Sequence, residues 1–328
     1  MSSSTERTEP LVIAVPSKGR LQENAAAFFA RAGLTLTQSR GARDYRGSLA
    51  GIDGVDILFL SASEIARELS VGGAHLGITG EDLIRESIPE AEKRLALLTP
   101  LGFGQANVVV AVPQTWIDVR NMADLEDVAS SFRTRHGRKL RVATKYVTLT
   151  RQFFAQHGIS DYRIVESLGA TEGAPAAGTA ELIVDITTTG ATLAANALKI
   201  LDDGVILRSE ANLVASLAAP WTGHARNAVS SILSRIAAEE EARTHREVNA
   251  RFAVIPEGLI TQAAERYEAV LVRREAGLLS FQCAQSKVYR LAEWLMTEGS
   301  DRVSVSEITY IFAPANPLIK KLFSAIGA

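Results

Sequence analysis

Valine, leucine and isoleucine arrive along this chain in short bursts, and the residues after each burst indicate the fold class. The run LVIAVP from Leu11 breaks at Ser17-Lys18-Gly19-Arg20. It gives way to a helical stripe of Leu21, Ala25, Phe28, Phe29 and Ala32, which Gly33 closes as a C-terminal cap would. The same sequence of events recurs. Strand VDILFL (Val55 to Leu60) leads to a helix from Glu64 to Val71, opened by Ser61 or Ser63, and Gly72-Gly73 then precedes the strand HLGITG. Strands alternating with helices predict a parallel sheet covered on both faces. ANVVVAVP (Ala106 to Pro113) begins a third block, and its valines suit a strand buried on both sides.

After a polar stretch from Thr115 to Gly137 that carries the chain out of this domain, a second α/β series begins. KLRVAT, YRIVES and ELIVDI are its strands, with LTRQFFAQHG as a helix and APAAGTA as a short helix. A helix at Ala191 to Leu198 and a strand at GVILRS complete it. Beyond Asn227 the pattern is helical and charged, most strongly in AAEEEARTHREVNA, which predicts a solvated linker helix or a plain surface helix. The remainder, from ARFAVI to VSVSEITYIFA, runs β, α, β, β, α, β, the order of a ferredoxin-like module. The expected division is a first α/β domain from 1–115 and 205–225 and a second from 116–204. A linker helix at 226–250 and a C-terminal module at 251–328 complete the chain.

Composition narrows the function classes. With 328 residues, 47% of them hydrophobic, the chain can bury more than one core. A net charge of −2 with mixed signs argues against a nucleic-acid or anionic-membrane surface, so any phosphate affinity must be local. The polar N-terminus and the absence of a long apolar run predict a cytoplasmic chain. A single cysteine, Cys283, excludes an internal disulfide and is expected as a small core residue. His75, His136, His157, His224 and His245 are not spaced as a metal cluster and are expected to be structural.

The candidate chemistry concentrates in ELIVDITTTGATLAANAL. An apolar strand ends in Asp185, and Thr187, Thr188, Thr189, Gly190, Ala191 and Thr192 precede a helix. Backbone N–H groups and four hydroxyls at such a turn suit a phosphate, Gly190 allows close backbone approach, and Asp185 can accept from ribose hydroxyls. A phosphoribosyl donor makes that pair of demands. An ordinary turn with a threonine cap is the competing reading. The loop lacks the Gly-Lys-Ser/Thr of a Walker loop and the spacing of a dinucleotide fingerprint. Lys18, Gly19 and Arg20 stand at the first strand-to-helix turn, where ligands of open α/β sheets bind, and suit pyrophosphate. Arg43 is a further cation for the leaving group, against the reading of a plain surface arginine. GITGED and ATKYVTLT add small, polar and basic residues at two more strand ends, as walls of one cleft.

Together LVIAVPSKGRL, GAHLGITGEDLI, LGFGQANVVVAVP, RVATKYVTLTRQFF, GATEGAPAAGTAELIVDITTTGATLAANAL and ILRSEANLVAS resemble the ATP phosphoribosyltransferase family over residues 11–225, in that family's order. The resemblance implies two α/β domains like those of periplasmic binding proteins, flanking a cleft. The activity it implies is transfer of phosphoribosyl from phosphoribosyl pyrophosphate to N1 of ATP, with Mg²⁺ accompanying pyrophosphate. It places Glu172, Asp185 and Thr187 to Thr192 on the donor, and Lys18, Arg20 and Arg43 on pyrophosphate and triphosphate oxygens. Gly77, Thr79, Gly80, Asp82, Lys145 and Tyr146 would line the nucleotide side, with Lys18, Gly19 and Arg20. Arg20, Arg43 and Asp185 are the expected catalytic groups.

The chain departs from the family pattern at Ser61-Ala62-Ser63-Glu64, where Arg-x-x-Asp is usual. It also departs at His75, where an acid is usual, and at Val147, where many members have proline. The first two are expected beside the nucleotide pocket. Length and element order match the long form of the family, which implies histidine as feedback inhibitor and dimers assembling into hexamers, whereas the short form needs a partner chain. The alternatives are a non-catalytic binding or sensing protein of the same fold, and a phosphoribosyltransferase for another base.

Overall fold

The computed structural model describes residues 9–38, 45–167 and 169–327. Three sheets organise it. In the first, β1 (Leu11–Pro16) pairs in parallel with β4 (Val55–Leu60) from Leu11↔Val55 to Pro16↔Leu60, and with β5 (Leu76–Gly80) on its other side. β2 (Thr35–Gln38) and β3 (Arg46–Ala50) form an antiparallel hairpin outside β4. β12 (Ala211–Ser216) enters antiparallel between β5 and β6 (Leu95–Pro100). Alternation within β1 sends Leu11, Ile13 and Val15 to one core and Ala14 to another. The first core lies under α1 (Gly19–Arg31), and the second lies under α2 (Ala62–Val71) and α3 (Glu81–Ser87).

The second sheet has the order β11-β7-β10-β8-β9. β8 (Leu140–Thr144), β9 (Tyr162–Glu166) and β10 (Leu182–Thr187) run parallel, whereas β7 (Asn107–Pro113) is antiparallel to both β10 and β11 (Leu198–Leu207). α4 (Met122–His136) and α5 (Val147–Gln156) cover one face and α6 (Ala191–Ala195) the other. Val108 to Val112 are buried as the valine run implies, but by helices on both faces and not by parallel neighbours.

This sheet moves the expected domain boundaries. β7 belongs to the second domain, so the chain crosses over at 101–106 and not near 115, and it returns at 208–210 after β11 has closed the second sheet. The two crossovers run side by side. Ala106 N–H donates to Ser209 O at 2.9 Å and Leu101 N–H to Ala211 O at 2.9 Å. Periodicity could not reveal this, because a buried edge of one sheet and the start of another have the same apolar signature. APAAGTA likewise forms turns where a helix was expected, just after a short 3₁₀ turn (Thr171–Gly173).

α7 (Gly223–Thr244) corrects the linker expectation. Val229, Ile232, Leu233 and Ile236 are buried in the first domain's core, and even Glu239 is buried, held by Arg31 Nε at 3.1 Å. The strand that begins the C-terminal module, β13 (His245–Arg251), comes directly after it. With α8 (Leu259–Tyr267), β14 (Val270–Glu275), β15 (Leu278–Ala284), α9 (Val288–Thr297) and β16 (Arg302–Glu307) it gives the antiparallel order β14-β15-β13-β16 of a ferredoxin-like unit, as expected. Cys283 is buried in that core. The module ends before the chain does. α10 (Pro317–Ala325), started by Asn316 as N-cap, returns to the first domain and buries Leu318 and Leu322 there.

Candidate active site

Parallel strands present their C-terminal ends together, and the second domain's threonine loop sits at such an end. Leu182 and Ile183 of β10 register with Val142 and Ala143 of β8, which brings Asp185 beside Lys145. A cavity of about 360 Å³ is lined by Asp185, Glu172, Thr187, Thr188, Thr189, Ala191 and Thr192, with Gln105, Ala106, Ile186 and Leu193. Glu172 enters it from the 3₁₀ turn, launched by Ala170 in a left-handed conformation at φ 50°. Gly190 is left-handed at φ +78°, a geometry that a residue with Cβ adopts at a cost.

The hydroxyls divide into two classes. Thr187 Oγ1 accepts from Gly190 N–H at 2.8 Å and Thr189 Oγ1 from Ala191 N–H at 3.4 Å, so each retains its own O–H for a ligand. Thr188 Oγ1 instead donates to Gln105 O at 3.0 Å and ties the loop to the first crossover. Burial raises the Asp185 carboxyl above its ordinary range. The Ile186 N–H and the charge of Lys145 oppose this, and Glu172 adds to it. Two carboxylates therefore face the same small volume, with one cation beside them. Gln105 and Ala106 carried no signal in the sequence, because their place on the cavity wall depends on the crossover.

The basic turn borders the same crossover. Lys18, Gly19 and Arg20 are exposed at the start of α1, and a Cβ on Gly104 would lie 3.1 Å from Leu21 Cδ1. Gln105, one residue later, lines the cavity of the threonine loop. Arg43 lies outside the described residues.

Along the expected nucleotide wall, most side chains are buried against protein. Gly77 is packed beneath α2, where a Cβ would meet Ile65 Cγ2 at 2.8 Å. Thr79 is fully buried and its hydroxyl donates to Ala62 O at 2.9 Å. Gly80 caps α3, and a Cβ there would meet Asp82 Oδ1 at 2.3 Å. Asp82 and Tyr146 are buried against each other, with Tyr146 OH donating to Asp82 Oδ2 at 2.8 Å and Ser209 Oγ to Asp82 Oδ1 at 2.9 Å. One turn along α3, Glu86 accepts from the N–H groups of Thr148 at 2.9 Å and Leu149 at 3.0 Å. Asp82 and Glu86 thus pin α3 of one domain to the start of α5 in the other, and their side chains are occupied by protein. Of this group Lys145 remains exposed, stacked over the Tyr146 ring at 5.0 Å. The i,i+4 spacing of Asp82 and Glu86 was visible in the sequence, but Ser209, the partner of Asp82, is 127 residues away, and Thr148 and Leu149, the partners of Glu86, are 62 and 63 residues away.

The departures at Ser61 and His75 have local explanations. Ser61 caps α2 in a reciprocal box with Glu64: its Oγ accepts Glu64 N–H at 3.3 Å, and its N–H donates to Glu64 Oε2 at 2.8 Å. His75 stands at the opposite end of the sheet from the basic turn. Its Nδ1 accepts Val12 N–H at 3.1 Å, which leaves Nε2–H to donate to Pro220 O at 3.2 Å, with the ring edge-on to Trp221. Burial lowers its pKa, so the ring is a neutral staple and not a pocket residue. Among the described residues no three His, Cys, Asp or Glu side chains converge on a metal site, and no helix is long and apolar enough to cross a membrane.

Residues 61–238 match the family model described as ATP phosphoribosyltransferase. An ATP phosphoribosyltransferase of Nitrobacter winogradskyi is 60% identical over 318 residues, covering 96% of this chain and 98% of the relative. One from Rhodopseudomonas palustris is 59% identical over 97% of this chain and 98% of the relative. Among solved structures, the ATP phosphoribosyl transferase (HisG:HisZ) complex of Thermotoga maritima superposes with a TM-score of 0.53 at 25% identity, over 69% of this chain and 95% of the other.

Proposed function

The chain belongs to the ATP phosphoribosyltransferase family, and from that premise we propose that it opens histidine biosynthesis by moving phosphoribosyl from phosphoribosyl pyrophosphate to N1 of ATP. The observation that carries this reading is the donor cavity, where Asp185 and Glu172 face the threonine loop. A ribose 2′,3′-diol has two hydroxyls to donate, and two carboxylates accept them. The 5′-phosphate takes the free hydroxyls of Thr187, Thr189 and Thr192 and the backbone N–H groups of the loop.

The bond from C1 of the ribose to pyrophosphate breaks as the N1 lone pair of adenine forms the new bond. The developing positive charge on the ribose needs no covalent partner, only fixed orientation and a stabilised leaving group. Lys18 and Arg20, exposed where α1 meets the crossover, stand on the pyrophosphate side, and Lys145 balances the paired carboxylates. The nucleotide lies against Lys145 and the basic turn, since Gly77, Thr79, Asp82 and Tyr146 are enclosed by protein. Mg²⁺ fits as part of the substrate, because Asp185 and Glu172 are hard oxygen donors but too few to form a cage. When bound, it spreads the charge of the departing pyrophosphate.

The C-terminal ferredoxin-like unit is proposed as the regulatory or assembly module of the long form, with histidine as its ligand, dimers assembling into hexamers, and a cytoplasmic location. Incubation with phosphoribosyl pyrophosphate, ATP and Mg²⁺ should yield phosphoribosyl-ATP, and Asp185→Ala should not. Turnover with another base but not ATP would retain the donor half of the reading and remove the acceptor. Calorimetry and assays that show neither histidine binding nor inhibition would remove the regulatory claim.

A further inference from the structure

A second cavity, of about 750 Å³, opens at the other end of the second sheet. Arg138, Lys139, Arg141, Arg151 and Arg163 line it with Tyr162, and no carboxylate is among its lining residues. In a chain of net charge −2 this is a concentrated positive site. Among the described residues, two carboxylates pair with its cations from outside. Glu181 accepts from Arg138 at 3.1 Å and from Arg141 at 2.7 Å, and Asp161 lies 3.8 Å from Lys139 while also pairing with Arg133. Six cations thus share two acids.

The cavity is also arranged for a ligand. Arg141 is fixed by Glu181 and Gly178 O, and the Arg138 guanidinium lies over the Phe132 ring at 4.8 Å, so both planar donors are held in place before anything arrives. The side chains of Arg151 and Arg163 are exposed and form no salt bridge or hydrogen bond among the described residues. Tyr162, Ile159 and Ile164 supply the apolar part of the wall. The volume is that of a small-molecule site.

This site is separate from the donor loop. β8 and β9 run parallel, with Leu140↔Tyr162 at the end that carries the cavity and Thr144↔Glu166 at the end that carries Lys145 and Asp185. Four residues of strand put about 13 Å between them.

We propose that this basic cavity is a second anion site, which takes a small polyphosphate of nucleotide size. The fixed Arg138 and Arg141 and the free Arg151 and Arg163 bind the phosphates, and Tyr162 offers its ring to a base.

The test is calorimetry at low salt with ADP and with inorganic tripolyphosphate on wild type, Thr189→Glu, and the double variant Arg151→Glu/Arg163→Glu. Thr189→Glu places a negative charge in the threonine loop, so the part of its remaining binding that Arg151→Glu/Arg163→Glu removes reports the second cavity. The expected result is that Thr189→Glu keeps that site. Adding the Arg151→Glu/Arg163→Glu changes to it should weaken that site at least tenfold, and the charge-neutral Arg151→Gln/Arg163→Gln should weaken it less. Tighter binding of ADP than of tripolyphosphate would identify a nucleotide as the occupant, and equal binding would identify free polyphosphate; either supports the site. Turnover of Arg151→Glu/Arg163→Glu without added effector should match wild type. Loss of all binding in Thr189→Glu, or a double variant that binds as wild type does, would overturn the proposal. So would dissociation of an oligomer by the double variant with no change in anion binding, which would make the surface a contact between copies. A wild type that makes no phosphoribosyl-ATP would refute the catalytic reading and leave this result standing.

Discussion

Replacing Tyr146 with phenylalanine separates two readings of the same residue. The family resemblance places Tyr146 on the nucleotide, whereas the structure encloses it at 1% exposure with its hydroxyl 2.8 Å from Asp82 Oδ2. The substitution keeps the ring and removes one donor to a buried carboxylate. A hydrogen bond to a charged group contributes about 1.5–3 kcal/mol, and Asp82 would keep Ser209 on its other oxygen, so the expected loss is about 2 kcal/mol. At a denaturant slope of roughly 2 kcal/mol per molar, the urea midpoint should fall by about 1 M. A double-mutant cycle with Asp82→Ala should return most of this as coupling, since removing the carboxylate removes the reason for the cost. The reasoning is refuted if Tyr146→Phe unfolds as wild type does while the KM for ATP rises severalfold, because that pattern belongs to a residue that binds substrate and not to one that joins domains.

Asp185→Asn should lower kcat/KM for the phosphoribosyl donor by about 100-fold, the effect of two charge-assisted hydrogen bonds, in steady-state kinetics. It should also stabilise the ligand-free chain to heat, because burial raises the pKa of this carboxyl and its ionised form is costly at neutral pH. Leu322→Ala, at the far C-terminus, should cost about 2–5 kcal/mol in the unfolding of the first domain, since Leu322 is fully buried in that domain's core; an effect confined to the ferredoxin-like unit would contradict the packing. His75 has its pKa depressed by burial, so the unfolded chain binds the proton more readily. Stability is therefore complete above the ordinary 6.5 and declines as pH falls from there through the lower folded value, which Trp221 fluorescence under denaturant can follow. His75→Gln should flatten that acid-side slope.

How much of the site was legible depended on how local its geometry is. Asp185 and Thr187 to Thr192 lie within one short stretch, and a strand that ends before a short helix determines their conformation, so the residues alone made this loop a candidate for anion binding. Lys18, Gly19 and Arg20 were legible for the same reason. Glu172 was identified by resemblance, and its opposition to Asp185 across one cavity depends on the left-handed turn at Ala170. Gly77, Thr79, Asp82 and Tyr146 have the composition of ligand-binding residues, because small and polar groups at strand ends serve equally well to join two domains.

Local pattern along the chain sufficed for the α/β class, the two α/β bodies with a ferredoxin-like appendage, the conformation of the threonine loop and the burial of Cys283, since each depends on periodicity or on neighbours within a few residues. That β7 and β11 close the second sheet, and that α7 and α10 complete the first domain's core, emerged from the folded chain alone. So did the meeting of Asp82 with Tyr146 and Ser209. Those pairings join segments tens to hundreds of residues apart, where one apolar stripe or one carboxylate is compatible with many partners. The choice is made by packing of the whole chain, in which each buried face and each buried charge must find its complement at once.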